Sequence, residues 1–470
     1  MRICLIVEGA YPYISGGVSS WVHALMTSMP EHEFILYAIG AEERMRGQFR
    51  YALPMNLTEV HEIFLDHYMR DRGRWGRNYR LSESQQESLI SLLGGDGRVE
   101  WNELFDLLHH GRMRSAVDFL MSKDYFNYVQ ELCLRHYSQV PFTEMFWTIR
   151  SMLLPLFEII RHPVPEADVY HCTATGYSGV IGSLGKHLYN KPLVITEHGI
   201  YSREREEEII KADWVKGYFK DVWIHYFYAL SRCAYEHADQ VITLFNRNKE
   251  IQIELGCDAD KISIVPNGVK TELFVELQGK PAEEQAIHIG ALVRVVPIKD
   301  IKTMLHSFAV VKEEVPGAKL YIMGPYSEDQ AYYEECLQTV EILKLEDVYF
   351  TGEVQVREHI GRMDILMLTS ISEGQPLVVL EGMAAGKPFV TTDVGSCKEL
   401  LLGREDDFGE AGIVVPVMHY EQIGQAVIDL CRDEPRRLAM GDAGRRRVGS
   451  NYRHEQFIQA YRQIYDAFEV

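Results

Sequence analysis

Two carboxylates separated by seven residues, Glu373 and Glu381, are the side chains of this sequence best placed to do chemistry. They stand in the stretch SEGQPLVVLEGMAAG, after the apolar run DILMLTS and before KPFVTT. Pro376 suits the first turn of a helix, where its missing N–H costs nothing. A helix N-terminus offers free amides and a partial positive charge, a setting that holds a diphosphate. More than a turn further in, Glu381 can accept two hydrogen bonds from the vicinal diol of a ribose. Glu373, in the loop ahead of the helix, can take sugar hydroxyls. Gly374, Gln375 and Leu377 lie between the two acids and are counted with the nucleotide-binding set. Acids are common, and this spacing alone more often means a solvated loop acid plus a helix-face acid. The strand–loop–proline–helix setting reverses those odds.

The elements that must position these residues are written in apolar runs. A single core rarely grows past about 250–300 residues, so a chain of 470 predicts two domains. Short continuous apolar runs predict strands at 3–7, 33–39, 168–172, 192–197, 239–244 and 261–265, with helical patterns between them. Between about 65 and 160 the pattern changes to amphipathic helical segments near 82–93, 101–108, 112–121, 124–137 and 142–161, a helical insertion. The polar stretch VELQGKPAEEQ at 275–285 carries Gly279 and Pro281 and reads as a linker. A second series of strands follows at 286–292, 318–323, 347–351, 364–369, 388–391 and 412–415. The expected class is α/β with two doubly wound domains. Residues 1–274 form the first, completed by a last helix within 452–470, and residues 286–451 form the second.

The Glu373–Glu381 segment resembles the E-x7-E signature of the large retaining glycosyltransferase family 4. That family has the GT-B fold, two Rossmann-like domains facing across a cleft. Three other segments resemble the same family in the expected order. In GALVRVVPIKD (290–300), the resemblance implies that Arg294 and Lys299 bind a donor diphosphate. The chemistry favours this, since fixed cations stabilise the charge left on a departing nucleotide. Gly16-Gly17 is implied to lie close to the donor phosphates or the acceptor, where backbone must approach a ligand or take positive φ. His198, in Thr196-Glu197-His198-Gly199 at a predicted strand end, is implied to approach the donor sugar. Taken singly, these read as solvated cations, a turn and a structural histidine; their shared order gives them weight. The segment VPNGV (265–269) also matches and reads as a tight turn.

The family resemblance therefore implies a catalytic set of Glu373, His198, Arg294 and Lys299. It implies a donor-binding set of Gly16, Gly17, Arg294, Lys299, Glu373, Gly374, Gln375, Leu377 and Glu381. Attack on the front face, with the leaving phosphate helping to deprotonate the acceptor, is the implied route. The opening MRICLIVEGAYPYISGGVSSWVH and the helical insertion narrow the resemblance to cytosolic glycosyltransferases of bacterial Pel-type exopolysaccharide systems. That implies a UDP-sugar donor, a saccharide acceptor and service to a membrane-embedded synthase complex. Glucose is the donor sugar the family implies, whereas the amino sugars of the polymer argue for an N-acetylhexosamine. Gln375-Pro376 stands where many members have Phe-Gly, in the loop implied to face that sugar.

Bulk properties exclude other classes. The net charge of −20 argues against nucleic acid and anionic membranes as partners. None of the eight cysteines forms a CxxC pair, which predicts buried thiols in a reducing compartment and no zinc site. Asp258-Ala259-Asp260 spells DxD but reads as an exposed turn ahead of a strand. No metal and no resident cofactor are expected, the UDP-sugar being a co-substrate. The apolar opening is too short for a signal peptide, and no run reaches the roughly 20 residues of a membrane helix. The expected location is cytoplasmic, compatible with attachment to the inner membrane through a protein complex. Two rivals stay open: a non-catalytic UDP-sugar-binding subunit of a polysaccharide synthase, and a GT-B-fold epimerase or phosphorylase. The phosphorylase needs a pyridoxal lysine in the second domain, and the sequence singles out none.

Overall fold

The computed structural model describes residues 1–66, 78–95, 97–109, 115–281, 283–404 and 406–469. Two parallel sheets organise them. The first has seven strands: β1 (Arg2–Glu8), β2 (Glu33–Gly40), β3 (Leu57–Phe64), β4 (Val169–Cys172), β5 (Leu193–Glu197), β6 (Gln240–Thr243) and β7 (Ile262–Ile264), in the order β3-β2-β1-β4-β5-β6-β7. The second has six: β8 (His288–Leu292), β9 (Lys319–Met323), β10 (Val348–Gly352), β11 (Ile365–Leu368), β12 (Phe389–Thr392) and β13 (Gly412–Val415), in the order β10-β9-β8-β11-β12-β13. The central strands are apolar throughout because helices cover both faces: Ile3 to Val7 and Ile365 to Leu368 are all buried. The strands pair in parallel, with Leu5 opposite Leu36 on one side and His171 on the other.

Each sheet reverses its strand order once, between β1 and β4 in the first and between β8 and β11 in the second. Loops leaving the carboxyl ends of strands on either side of such a reversal diverge and leave a crevice. The loop after β8 carries Arg294 and Lys299, and the loop after β11 carries Glu373. The loop after β1 carries Gly16 and Gly17.

Two compact units emerge: Met1–Ile264 with Arg462–Val470, and Val265–Tyr461. The passage between them falls at the end of β7, ahead of the expected linker at 275–285. The reason is local bonding inside the second unit: Val269 pairs with Arg453 in an isolated bridge, and the Asn267 N–H donates to Gln375 Oε1. The final helix, His454–Asp466, starts in the second unit and ends in the first. The helical insertion comprises Glu83–Gly94, Trp101–His109, Ala116–Phe119, Lys123–His136 and Phe142–Arg161. Its apolar faces join the first sheet in one core. The segment expected at 112–121 begins outside the described residues, and its described part is a single turn capped by Ser115. β3 was not anticipated. It is an edge strand whose Thr58, Glu59, His61 and Glu62 break the apolar run.

Candidate functional site

In the second unit, the loop after β8 ends in the 3-10 turn Pro297–Lys299, and Asp300 then caps the helix Ile301–Glu314. Thr369, just past β11, donates its hydroxyl to the carbonyls of Lys299 (3.0 Å) and Asp300 (3.1 Å). The Ile371 N–H donates to the Ile298 carbonyl at 2.9 Å. These bonds fix the two loops against each other, and the Lys299 ammonium pairs with the Glu373 carboxylate. The pair is mostly shielded, with side-chain exposures of 17% and 11%. Ser370 Oγ donates to the same Glu373 oxygen at 2.5 Å.

Glu373 and Gly374 are held from behind by Gly395, at φ +51°. A Cβ at that position would lie 2.1 Å from the Gly374 carbonyl oxygen and 2.4 Å from that of Glu373. The neighbouring Ser396 N–H donates to the Gly374 carbonyl at 3.0 Å. Nothing in the sequence near Gly395 signals this role, because the contact comes from backbone twenty residues earlier.

The helix that follows is Leu377–Ala384, with Pro376 as its cap residue rather than its first turn. No side chain caps it, and of its first-turn amides the Val379 N–H donates to the Pro376 carbonyl at 3.0 Å. Leu377 opens it, half-buried. Glu381 lies one turn in, also half-buried, and its carboxyl makes no hydrogen bond or ion pair among the described residues. Burial pushes its carboxyl up to about 7. An uncapped helix start, a shielded ammonium and a carboxyl with open lone pairs thus belong to one segment and its neighbouring loop.

Two residues of the expected set sit differently. Gln375 is buried, and its amide oxygen accepts the Asn267 N–H at 2.6 Å, so this part of the side chain anchors the VPNGV turn rather than being free for a sugar. Arg294 is about half exposed and pairs with Glu328 at 2.6 Å. It lies on the same loop as Lys299 but does not share its carboxylate partner.

The first unit gathers the remaining expected residues. Gly16 and Gly17 start the helix Gly17–Thr27, which has no side-chain cap. Gly16 has extended backbone, φ 174°, and a Cβ on either glycine would meet nothing within 4 Å. The packing around them therefore does not demand glycine here. Trp21 of this helix meets the His198 ring edge-to-face, with centroids 4.8 Å apart. His198 follows β5, and its Nε2 is buried without a hydrogen-bond partner among the described residues. Burial pulls its imidazole down to about 4, so the ring is neutral at pH 7. It can exchange hydrogen bonds but supplies no fixed charge.

The strand end beneath His198 is held by Glu197. That buried carboxyl accepts bonds from Tyr235 (2.6 Å), Gln252 (2.8 Å), Thr175 (2.9 Å) and the Tyr201 N–H (3.1 Å). Sequence reasoning missed Glu8, at the end of β1, which accepts from the Ser178 N–H and the Tyr201 hydroxyl, both at 3.2 Å. Asp258, of the DxD triplet, caps its own 3-10 turn through the Asp260 N–H. No group of three His, Cys, Asp or Glu side chains that could hold a metal occurs among the described residues. No helix among them is long and apolar enough to cross a membrane.

Residues 283–433, the stretch that carries Lys299, Glu373 and Glu381, match the family described as "Glycosyl transferases group 1". N-acetyl-alpha-D-glucosaminyl L-malate synthase of Bacillus anthracis is 31% identical over 197 residues, 42% of this chain; the chain spans about half (48%) of that relative's length. Alpha-maltose-1-phosphate synthase of Mycolicibacterium smegmatis is 25% identical over 326 residues, 63% of this chain and 79% of the relative. Among solved structures, Anabaena Alr3699/HepE in complex with UDP superposes with a TM-score of 0.63 at 14% identity, over 99% of this chain and 100% of that one. Sucrose-phosphate synthase of Thermosynechococcus elongatus gives 0.62 at 15%, with the same coverage. These likenesses establish the GT-B fold. Residues 1–260, more than half of the chain, match the family described as "Domain of unknown function (DUF3492)", and the chain belongs to that family.

Proposed function

We propose that this protein is a glycosyltransferase that moves a hexose, glucose or an N-acetylhexosamine, from a UDP-sugar to a saccharide acceptor with retention of configuration. The observation that carries the reading is the shielded Lys299–Glu373 pair beside an uncapped helix whose Glu381 carboxyl has no partner among the described residues. Lys299 and the helix amides would take the diphosphate, Glu381 the ribose diol, and Glu373 the sugar hydroxyls. His198 would meet the sugar as a neutral imidazole, and Gly16 and Gly17 would admit the ligand's approach. No metal is required, since Lys299, Arg294 and the helix terminus supply the positive charge. The sequence resemblance supports a cytoplasmic role in Pel-type exopolysaccharide synthesis, alongside a membrane-embedded synthase complex.

The test is calorimetry with UDP-glucose, UDP-N-acetylglucosamine, GDP-mannose and ADP-glucose, each with excess chelator and with magnesium, followed by hydrolysis assays. UDP-sugars are expected to bind at least about tenfold more tightly than the others, with chelator changing affinity by less than tenfold, about 1.4 kcal/mol. Preference for GDP or ADP, or binding abolished by chelator, would overturn the donor assignment. Binding without turnover of any donor would leave only a UDP-sugar-binding subunit.

The Glu381 assignment has a pH signature. The free carboxyl keeps its proton up to about pH 7. A ribose diol favours the ionised form, so binding releases a proton and affinity rises with pH. Uridine has no phosphate to titrate in this range and isolates the effect. It should bind about tenfold more tightly at pH 8 than at pH 6, and Glu381→Gln should flatten the profile. A wild-type profile already flat would separate Glu381 from the ribose.

A further inference from the structure

The first unit carries a second concavity, unrelated to the loops of the two sheet reversals. It is a surface pocket of about 430 Å³ between the insertion helix Phe142–Arg161 and the turn at 212–216 that joins the helices Tyr201–Lys211 and Gly217–His237. Three tryptophans line it. Trp214 is 71% exposed and Trp147 is 48% exposed. Trp214 stands edge-on to Trp223, with centroids 5.8 Å apart, so one indole is fixed against the other. Large aromatic faces left to solvent in this way mark binding surfaces, because a soluble chain otherwise covers them.

The rest of the lining chooses among occupants. The hydroxyls of Thr143, Thr148 and Ser151 sit on the insertion-helix side. Among the described residues, the lining holds one anion and one cation, Glu144 and Lys216, and they neutralise each other at 2.7 Å. Glu144 also accepts the Tyr218 hydroxyl at 2.5 Å. The Lys216 ammonium holds the Glu144 carboxyl below the ordinary range, so the pair stays ionised and locked. An anionic lipid surface would need free positive charge here, and none lines the pocket. A greasy protein helix would meet aliphatic side chains, whereas the one lining the pocket, Val215, is buried. Rigid indole faces, a hydroxyl rim and no net charge instead match a neutral pyranose. Its C–H face is apolar and its edge is a ring of hydroxyls.

We propose that this pocket binds a neutral saccharide chain, with Trp214 and Trp147 stacking on sugar rings and Glu144 and the lining hydroxyls bonding their edges. Such a site would hold a growing or finished glycan on the first unit, through residues other than those of the nucleotide loops. It stands whether or not the donor is a UDP-sugar.

The test uses the full chain and its own tryptophan fluorescence. The probes are N-acetylglucosamine hexamer and maltohexaose. Saturable quenching or a blue shift, with a Kd near or below about 1 mM, is expected for at least one of them. Trp214→Ala and Trp147→Ala should each weaken it at least tenfold, and Trp214→Phe should retain most of it. UDP affinity and Tm serve as fold controls: neither should move in Trp214→Ala, whose indole is largely exposed, and UDP affinity should not move in Trp147→Ala. No saturable signal with either hexamer, or equal binding by wild type and both alanine variants, overturns the proposal. A Trp214-dependent shift produced only by phosphatidylglycerol–phosphatidylcholine vesicles, or only by self-association in sedimentation, overturns it in favour of a membrane or a second copy.

Discussion

Lys299→Ala is expected to lower kcat for the nucleotide sugar by on the order of 10²–10³ at saturating donor. Charge on the departing phosphate grows as the sugar–phosphate bond breaks, so a fixed ammonium is worth more in the transition state than in the bound ground state. Lys299 is suited to this because its loop is anchored on both sides of the turn, through Thr369 and Ile371. Its mostly shielded position also lets its charge act with little water between. The variant leaves the Glu373 carboxylate with Ser370 alone, a loss of about 1.5–3 kcal/mol of stability. Kinetics and thermal unfolding must therefore be read together: turnover collapses while Tm falls by several degrees. Arg294→Ala should cost only about tenfold, as an exposed guanidinium already shared with Glu328 gains less on the way to the transition state. Wild-type kcat in a folded Lys299→Ala protein would place the diphosphate elsewhere.

Gly395→Ala should destabilise the second unit by about 2–4 kcal/mol, by combining a left-handed backbone with a clash against two carbonyl oxygens. Neither oxygen is the end of a flexible side chain, so the loop bearing Glu373 must move. Donor affinity should fall with stability. Gly16→Ala is the paired control. Its extended φ and empty surroundings predict a stability within about 0.5 kcal/mol of wild type, so any loss of donor or acceptor binding there reports the ligand itself. Equal thermal melts for wild type and Gly395→Ala would show that the loop does not lean on Gly395.

The strands were legible because parallel strands covered on both faces leave unbroken apolar runs, as ICLIV and DILML do. β3 escaped because an edge strand in this sheet keeps Glu59 and Glu62 for ion pairing and hydrogen bonding with Arg2 and Tyr13, and the alternation hides it. Glycine and proline at 279 and 281 suggested the passage between units, yet the decisive contacts are the bonds of Asn267 and Val269 to distant backbone and side chain. Among the site residues, the loop acids and the following helix could be read from local chemistry. The bond between Gln375 and Asn267, the Arg294–Glu328 pair and the close approach of Gly395 could not. Each joins positions far apart in the chain, and no local pattern encodes which partner arrives.

The last helix has a consequence for how the molecule is made. Its end belongs to the first unit: the Tyr465 hydroxyl meets His171 Nδ1 at 2.6 Å, and Arg462 bonds Glu31 at 2.7 Å and the Ser28 carbonyl at 2.9 Å. A ribosome adding 5–20 residues per second spends roughly ten to forty seconds on the second unit before these residues emerge. The unit translated first is therefore completed only after the second, and its buried His171, which bonds Thr196 at 2.8 Å, lacks the Tyr465 hydroxyl throughout. During that interval the nascent first unit exposes the seat of the last helix.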